Sequence, residues 1–372
     1  MKKKVLIVIG GFKIGGTISS LRSLLSVIDR DKVDVDIFSR LHTDEGNTDL
    51  PNCSILAENC WLSHRIIKRN PVEKLFCVIL WGLRGVLSKF GIDLFRLYCK
   101  IGGRQIGSLK YDAVIGYDES LARFISYLPA KKRINWIHCD YRRYLKGKDE
   151  RRIYEVIDTV VFVSDIARGI FNEIYPEFSF KSLTMHNVIN VEEITKKSKE
   201  FESLDRRFKT DRFTLISCGR FDPVKQFHLI PYIASSVREI GGVPFYWYIV
   251  GGGDELSHIQ QEIGRYNVGD IVYVLGFTNN VYAYMAKSDV YVCTSISESY
   301  PLAVNEAKAL GLPVISNDFP SVYESLTDAI DGYVVPLDEM PKSIIRIMSH
   351  PFKRTGAFFD NTQVVDRFYQ ML

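Results

Sequence analysis

The residue types best suited to holding an anionic, hydroxyl-rich ligand cluster in the second half of the sequence. Gly219-Arg220 follows a short apolar run, and Lys225 lies five residues further on. An arginine forks onto phosphate oxygens, and a lysine adds a second positive charge. The other reading of this stretch is a solvated basic loop. Downstream, Glu298-Ser-Tyr-Pro-Leu-Ala-Val-Asn-Glu306 places two carboxylates around the start of a predicted helix. Free amides at a helix start suit an anion, while carboxylates accept hydrogen bonds from sugar hydroxyls. Alternatively, Glu298 is a cap and Glu306 a surface helix residue. Near the N-terminus, Gly10-Gly-Phe-Lys-Ile-Gly-Gly16 permits close backbone approach of a ligand, or is a plain tight turn. Phe12 breaks the dinucleotide fingerprint G-x-G-x-x-G, which argues against NAD. Asp34-Val-Asp36 has a metal-like spacing but falls inside a predicted strand, where alternate side chains serve one sheet face.

These residues need elements to position them. Val5 to Ile9 reads as a buried parallel strand, followed by the glycine loop, a helix with Leu21, Leu24, Leu25 and Ile28 at helical spacing, and a strand from Val33 to Phe38. Strand, loop, helix, strand is one βαβ unit. Further strands are predicted at Ala113–Ile115, Arg133–Ile137 and Thr159–Val163. A polar, charged stretch from Asn187 to Arg212 reads as a domain boundary. The pattern then restarts, with strands at 213–217, 245–250, 271–274, 290–294 and 313–316 and helices at 229–240 and 303–310. Two consecutive α/β sheets are therefore expected: a first domain over 1–190 and a second over 205–350. In open sheets of this kind ligands bind beyond the carboxyl ends of the strands, where Arg220 and Glu298 fall. Val364, Val365, Phe368, Tyr369 and Leu372 form an apolar stripe on a terminal helix over 358–372.

The totals fit this organisation. The chain has 372 residues, 46% of them hydrophobic and 25% charged, enough apolar material for more than one core. A net charge of +4 does not by itself call for nucleic acid. The seven cysteines contain no C-x-x-C pair, so reduced thiols are simpler than a disulfide framework or a zinc site. Only five apolar residues follow Met1-Lys-Lys-Lys4, too few for a secretory signal. The run Leu75 to Leu83 is too short to span a bilayer. A soluble or peripheral protein is expected.

Taken in order, the Gly-Gly loop, Gly219-Arg-Phe-Asp-Pro-Val-Lys225, Val250-Gly-Gly-Gly-Asp254 and Glu298-x(7)-Glu306 resemble family 4 of the retaining glycosyltransferases. The similarity runs through almost the whole chain and is strongest from Thr214 to Pro336. Asn187-Val-Ile-Asn190 is similar to a segment that precedes that family's interdomain linker. The resemblance implies the GT-B fold: two Rossmann-like domains facing across a cleft, with the final helix crossing back to the first. It implies that Arg220 and Lys225 bind the donor pyrophosphate and that Glu306 takes the ribose hydroxyls. Glu298, Pro301 and the amides near Tyr300 and Leu302 would hold the sugar and phosphate. Phe277 and Thr278 would meet the base, and Gly251 and Gly16 would approach the donor. His138 resembles a histidine near the transferred sugar, the alternative being a structural histidine beside Trp136. No metal and no cofactor are implied, and front-face attack is favoured. Two positions depart from the family pattern. Ser299 stands where many relatives have glycine, and Asp318 to Glu324 replaces a Gly-Gly-x-x-Glu turn, which bears on sugar identity.

Between Trp61 and Lys110 ten basic residues face only Glu73 and Asp93, a local net charge of +8, with aromatics interleaved. Such a segment suits an anionic membrane surface, or is a domain-packing helix pair with a solvated basic face. No nucleic-acid motif accompanies the charge. The expected enzyme moves a sugar, most simply from a UDP-sugar, to a lipid-linked saccharide during surface polysaccharide synthesis. Its expected location is the cytoplasmic face of the membrane. A nucleotide-sugar epimerase and a non-catalytic sugar-nucleotide-binding subunit are the alternatives.

Overall fold

The computed structural model describes residues 2–12, 15–41, 50–57, 59, 61–62, 71, 75, 78–79, 82–83, 86, 94–201, 204–241, 243–350, 356–357 and 359–372. The chain divides into two compact units, Met1–Val188 with Thr362–Leu372, and Ile189–Asn361.

The first unit is built on a seven-stranded parallel sheet. Its strands are β1 (Lys3–Gly11), β2 (Val33–Leu41), β3 (Ser54–Ile55), β4 (Ala113–Gly116), β5 (Arg133–Ile137), β6 (Thr159–Phe162) and β7 (Ser182–Thr184), in the order β3-β2-β1-β4-β5-β6-β7. Val5 to Ile9 is fully buried, as an apolar run covered on both faces must be. Helix Gly16–Val27 buries Leu21, Leu24 and Leu25. The terminal helix Thr362–Gln370 belongs to this unit. Phe368 is buried, its ring 6.5 Å from that of Trp136, and the Tyr369 hydroxyl accepts from the Asp29 amide at 2.7 Å.

The second unit holds six parallel strands: β8 (Phe213–Arg220), β9 (Phe245–Gly252), β10 (Val272–Gly276), β11 (Val290–Cys293), β12 (Val314–Asn317) and β13 (Gly332–Val335). Their order is β10-β9-β8-β11-β12-β13. Alternate side chains go to opposite faces. Leu215, Trp247 and Val292 pack under helices Ile230–Ile240 and Met340–Ser349, while Ile216, Tyr291 and Cys293 join the core of Val304, Ala307 and Met285. Helix Ile230–Ile240 buries Ile230, Ile233, Ala234 and Val237, the spacing of one apolar helical face, and stops at Gly241, whose φ is 86°. A buried chain ties the central strands: Trp247 Nε1 donates to Ser217 Oγ at 3.0 Å, and Ser217 Oγ donates to the Val292 carbonyl at 2.6 Å.

The expected boundary from Asn187 to Arg212 is not an open linker throughout. Val191–Lys197 is a helix, capped by Asn190, whose side chain accepts from the Glu193 amide at 3.0 Å. Ile189 and Ile194 pack against Ala309. Charged residues on the outer face conceal this short apolar stripe in the sequence.

Of the basic segment, Arg65, Lys68, Arg69, Lys74, Arg84 and Lys89, with Phe76, Trp81 and Phe90, lie outside the described residues. The described part supports the packing alternative for its aromatics. In helix Leu94–Gln105, Phe95, Tyr98 and Cys99 are buried in the core, while Arg96, Lys100 and Arg104 are exposed. No helix among the described residues is long and apolar enough to cross a membrane.

Candidate functional site

Each sheet reverses its strand order once. In the second unit the reversal lies between β8 and β11, whose neighbours β9 and β12 lead away on opposite sides. Connections leaving adjacent strands on opposite sides open a crevice beyond their carboxyl ends. The segments that carry Arg220, Lys225 and Glu298 leave from those two strands.

Strand β8 extends through Arg220, further than the apolar run implies, because β9 follows it to Gly252. Glycine makes this possible. A Cβ on Gly251, where φ is 149°, would lie 1.8 Å from the Gly219 carbonyl oxygen, and one on Gly253 2.4 Å from that of Phe221. Gly251 therefore has a backbone reason of its own to be glycine. Beyond the strand, Asp222 organises the turn. Its carboxylate accepts from the amides of Val224 and Lys225 at 3.1 and 3.2 Å and from Arg220 Nε at 2.9 Å. The Arg220 side chain is 76% exposed. An exposed guanidinium fork of this kind can receive phosphate.

Lys225 is turned inward. Its Nζ lies 2.5 Å from Glu298 Oε1, with both side chains largely buried. Ser295 Oγ donates to the same carboxylate oxygen at 2.8 Å. Burial opposes the lysine charge, but the Glu298 carboxylate outweighs it, and the Lys225 pKa lies above its ordinary value. The two segments are also joined by backbone. Thr294 Oγ1 donates to the Lys225 carbonyl at 2.6 Å, and the Ile296 amide to the Val224 carbonyl at 3.0 Å. Ser321 Oγ donates to the Glu298 carbonyl.

Helix Leu302–Ala309 begins at Pro301, and Asn305 Nδ2 holds that start by donating to the Pro301 carbonyl at 3.1 Å. The Leu302 amide donates to the Tyr300 carbonyl at 2.9 Å, while the amides of Ala303 and Val304 have no intrahelical carbonyl and suit an anion. Glu306 lies one turn in, and its carboxylate accepts from the Tyr282 hydroxyl at 2.9 Å. Burial raises its pKa, against the opposing effects of Tyr282, Lys225 and Lys197. Neither glutamate is the plain cap or surface residue of the alternative reading. Tyr300 is also pushed up, mainly by burial and further by Glu324. At the end of β10, Phe277 is 61% exposed, and Thr278 Oγ1 accepts from the Asn280 amide at 3.1 Å.

The second unit thus brings Lys225, Glu298, the helix start at Pro301-Leu302 and Glu306 together, with Arg220 at the rim. Asp222, Tyr282 and Ser295 escaped the sequence reading. Only Asp222 carries a local signal, since Asp-Pro initiates turns.

In the first unit Gly16 opens helix Gly16–Val27 after β1, and His138 follows β5. The His138 ring stacks over Trp136 at 12°, centroids 6.3 Å apart, and tilts against Tyr117 at 4.7 Å. Its amide donates to Glu119 Oε2 at 3.3 Å, while Nε2 is enclosed without a hydrogen-bond partner. Burial pulls the imidazole pKa down to about 3, so it is neutral at physiological pH. Burial likewise raises Glu119 and Cys139. Asp34 and Asp36 are engaged elsewhere, Asp34 with Lys2 at 2.5 Å and Asp36 with the Tyr111 hydroxyl at 2.6 Å.

Two parallel Rossmann-like sheets, the second with a polar, partly cationic site beyond its strand ends, define an α/β protein of the kind that binds ligands at the strand ends. Residues 198–355, which lie within the second unit, match the family described as glycosyl transferases group 1. The chain is 27% identical over 167 residues to an uncharacterized glycosyltransferase, MJ1059, of Methanocaldococcus jannaschii, covering 44% of this chain and 41% of that one. It is also 27% identical over 179 residues to the N-acetylgalactosamine-N,N'-diacetylbacillosaminyl-diphospho-undecaprenol 4-alpha-N-acetylgalactosaminyltransferase of Campylobacter jejuni, 46% of each chain. The matched stretches thus span less than half of these relatives. Among solved structures, Anabaena Alr3699/HepE in complex with UDP and glucose superposes with a TM-score of 0.70 at 15% identity, over 99% of this chain and 98% of that one. The fold is GT-B.

Proposed function

We propose that this protein is a retaining glycosyltransferase that moves a sugar from a nucleotide-sugar donor, a UDP-sugar, to a lipid-linked saccharide acceptor. The observation that carries the reading is the Lys225–Glu298 pair beside the start of helix Leu302–Ala309, at the strand-order reversal of the second sheet. It offers a cation, a carboxylate and helix-start amides to one ligand, which matches a diphosphate joined to a sugar. UDP and glucose bound to the Anabaena structure support the donor class, and the Campylobacter enzyme's undecaprenol-linked substrate supports the acceptor class.

Each residue then has a task. The exposed Arg220 fork and Lys225 take the pyrophosphate. As the bond to the sugar breaks, negative charge grows on the departing diphosphate, and preorganised donors there are worth ~2.7–4 kcal/mol each. The backbone of Tyr300, Pro301 and Leu302, with the free amides that follow it in the helix, faces the same charge. Lys225 exchanges its partner, from carboxylate to phosphate, which leaves Glu298 free to accept from sugar hydroxyls. Glu306, oriented by Tyr282, receives the ribose hydroxyls. Phe277 and Thr278 meet the base, and Gly251 keeps the backbone close to the donor. In the first unit Gly16 is assigned to a donor phosphate and the neutral His138 to the transferred sugar. The departing phosphate accepts the acceptor's proton, so the reaction needs no metal or cofactor. In cells the enzyme works in surface polysaccharide synthesis at the inner membrane face, drawn to anionic lipid by residues 61–110.

The test is transfer from UDP-, GDP- and dTDP-sugars to polyprenyl-diphosphate-linked saccharides, with the product anomer read by NMR. Transfer from UDP-sugars with the donor's anomeric configuration kept is expected. Inversion refutes the retaining assignment. Epimer formation from UDP-N-acetylglucosamine alone refutes transfer itself.

A further inference from the structure

A second polar cluster lies beside the β8 and β9 ends, and the proposed transfer reaction does not use it. His228 sits in the 3-10 turn Phe227–Leu229, Glu255 precedes helix Leu256–Arg265, and His258 lies in the first turn of that helix. Glu255 and His258 are three residues apart and share a helix face. One oxygen serves both rings: Glu255 Oε2 is 3.0 Å from His258 Nδ1 and 3.9 Å from His228 Nδ1. The rings are stacked at 12° with centroids 4.6 Å apart, and the three candidate ligand atoms lie within 4.8 Å of one another. His228 Nδ1 is enclosed and makes no hydrogen bond.

An enclosed nitrogen without a partner is costly to keep, roughly 1–3 kcal/mol, unless something occupies its lone pair. Tetrahedral zinc takes nitrogen and oxygen at ~2.0–2.2 Å, which places ligand atoms roughly 3.3 Å from each other. The two nitrogen-to-oxygen separations, 3.0 and 3.9 Å, bracket that spacing, and turning one imidazole out of the stack directs both ring lone pairs to a common ion. Two imidazoles and one carboxylate form a donor set for a borderline divalent ion, whereas Mg²⁺ and Ca²⁺ require oxygen ligands. We propose that His228, Glu255 and His258 form a binding site for a divalent ion of the zinc class.

The ion's place in the fold gives it a structural consequence. Glu255 is already tied to the end of β8, its amide donating to the Phe221 carbonyl at 3.2 Å, and the Phe221 and Phe227 rings meet edge to face at 5.7 Å. His228 lies three residues after Lys225. A bound ion would clamp the segment carrying Lys225 to the segment that follows β9. No step of sugar transfer is routed through it, and the inference stands whether or not the donor reading holds.

The full chain, freed of metal with a chelator and then dialysed, is titrated with ZnCl₂ by calorimetry and followed by thermal unfolding. One saturable zinc per chain and a raised Tm are expected. MgCl₂ at the same concentrations should leave the Tm unchanged. His228→Gln, Glu255→Gln and His258→Gln should each weaken zinc binding at least ~10-fold, the lower end of what disturbed metal shells cost. Their Tm in chelator should stay near that of the parent, which separates lost ligation from lost folding. Cobalt substituted for zinc should give the visible absorption of a tetrahedral site, lost in all three variants. Absence of saturable zinc binding below 1 mM refutes the site, and so does parental affinity in His228→Gln and His258→Gln. Equal stabilisation by magnesium refutes the ion class.

Discussion

Replacing Glu298 by glutamine keeps the shape of the side chain and deletes its charge, which separates its two jobs. In the structure its carboxylate neutralises Lys225 at 2.5 Å. In the proposed complex a phosphate stands on that lysine, so carboxylate and phosphate face each other across it. Two like charges ~6 Å apart repel by roughly 3 kcal/mol at an effective dielectric constant of ~20. Salt screening and rearrangement leave about a third of this, ~1 kcal/mol, or ~5-fold in affinity. UDP should therefore bind Glu298→Gln about 5-fold more tightly than the parent. Turnover should move the other way. A charge-assisted hydrogen bond to the sugar is worth ~1.5–3 kcal/mol, and where it strengthens in the transition state its loss lowers kcat roughly 10- to 100-fold. Glu306→Gln should behave oppositely. The ribose does not change during reaction, so its loss weakens ground and transition states alike, raising donor KM and sparing kcat. UDP, which keeps the ribose, should bind Glu306→Gln ~10-fold more weakly. Calorimetric titration of UDP into both variants, with steady-state rates beside it, decides the matter. Weaker UDP binding in Glu298→Gln with unchanged binding in Glu306→Gln would refute the assigned roles.

Arg220→Ala should lower turnover at least ~100-fold, as loss of an oxyanion donor does, while its Tm stays within the small change typical of an exposed side chain; near-parental turnover in a donor-saturated assay removes Arg220 from the site. His138 is held neutral, its pKa near 3, against ~6.5 in an unfolded chain. The unfolded state therefore takes up a proton first, and stability falls as pH drops from ~6.5 toward 3. His138→Gln should flatten that acid-side fall in thermal unfolding, and parallel curves for parent and variant would show an ordinary imidazole. Membrane attraction is tested by sedimentation with vesicles. Binding to anionic but not neutral vesicles should be released as salt rises and weakened by charge reversal at the exposed Arg96, Lys100 and Arg104; equal partitioning to both kinds refutes an electrostatic attachment.

The sheets were legible because buried parallel strands must be short apolar runs. Arg133–Ile137 is recovered to the residue, Val5–Ile9 forms the centre of a longer strand, and Phe245–Val250 starts with its strand and stops two residues short of its end. What escaped is equally physical. Ser54–Ile55 and Ser182–Thr184 are edge strands of two and three residues, too short to show a pattern. Helix Val191–Lys197 was hidden by charges that belong to its solvent face. In the described part of the basic segment Phe95 and Tyr98 fill the core, while Arg96, Lys100 and Arg104 are exposed beside Leu97. Spacing cannot say which face of a helix an aromatic takes until its neighbours are known.

The site shows the same division between local and non-local information. Lys225 and Glu298 could each be named from sequence, because lysine after a glycine turn and glutamate before a helix are local features. That they face each other could not, since 73 residues separate them and their meeting depends on β8 lying beside β11. Composition suggested a cation waiting for phosphate. The fold shows a cation already satisfied by a carboxylate, so in the proposed complex donor binding is an exchange of partners rather than the filling of an open charge. The cluster of His228, Glu255 and His258 follows the same logic one strand further out, where β8 meets β9. Cysteine spacing and the Asp34-Val-Asp36 pair are the metal signals local in the sequence, whereas these ligands are assembled by strand adjacency from segments that carry no motif. Local pattern therefore names candidate groups, and the order of strands decides which of them act together.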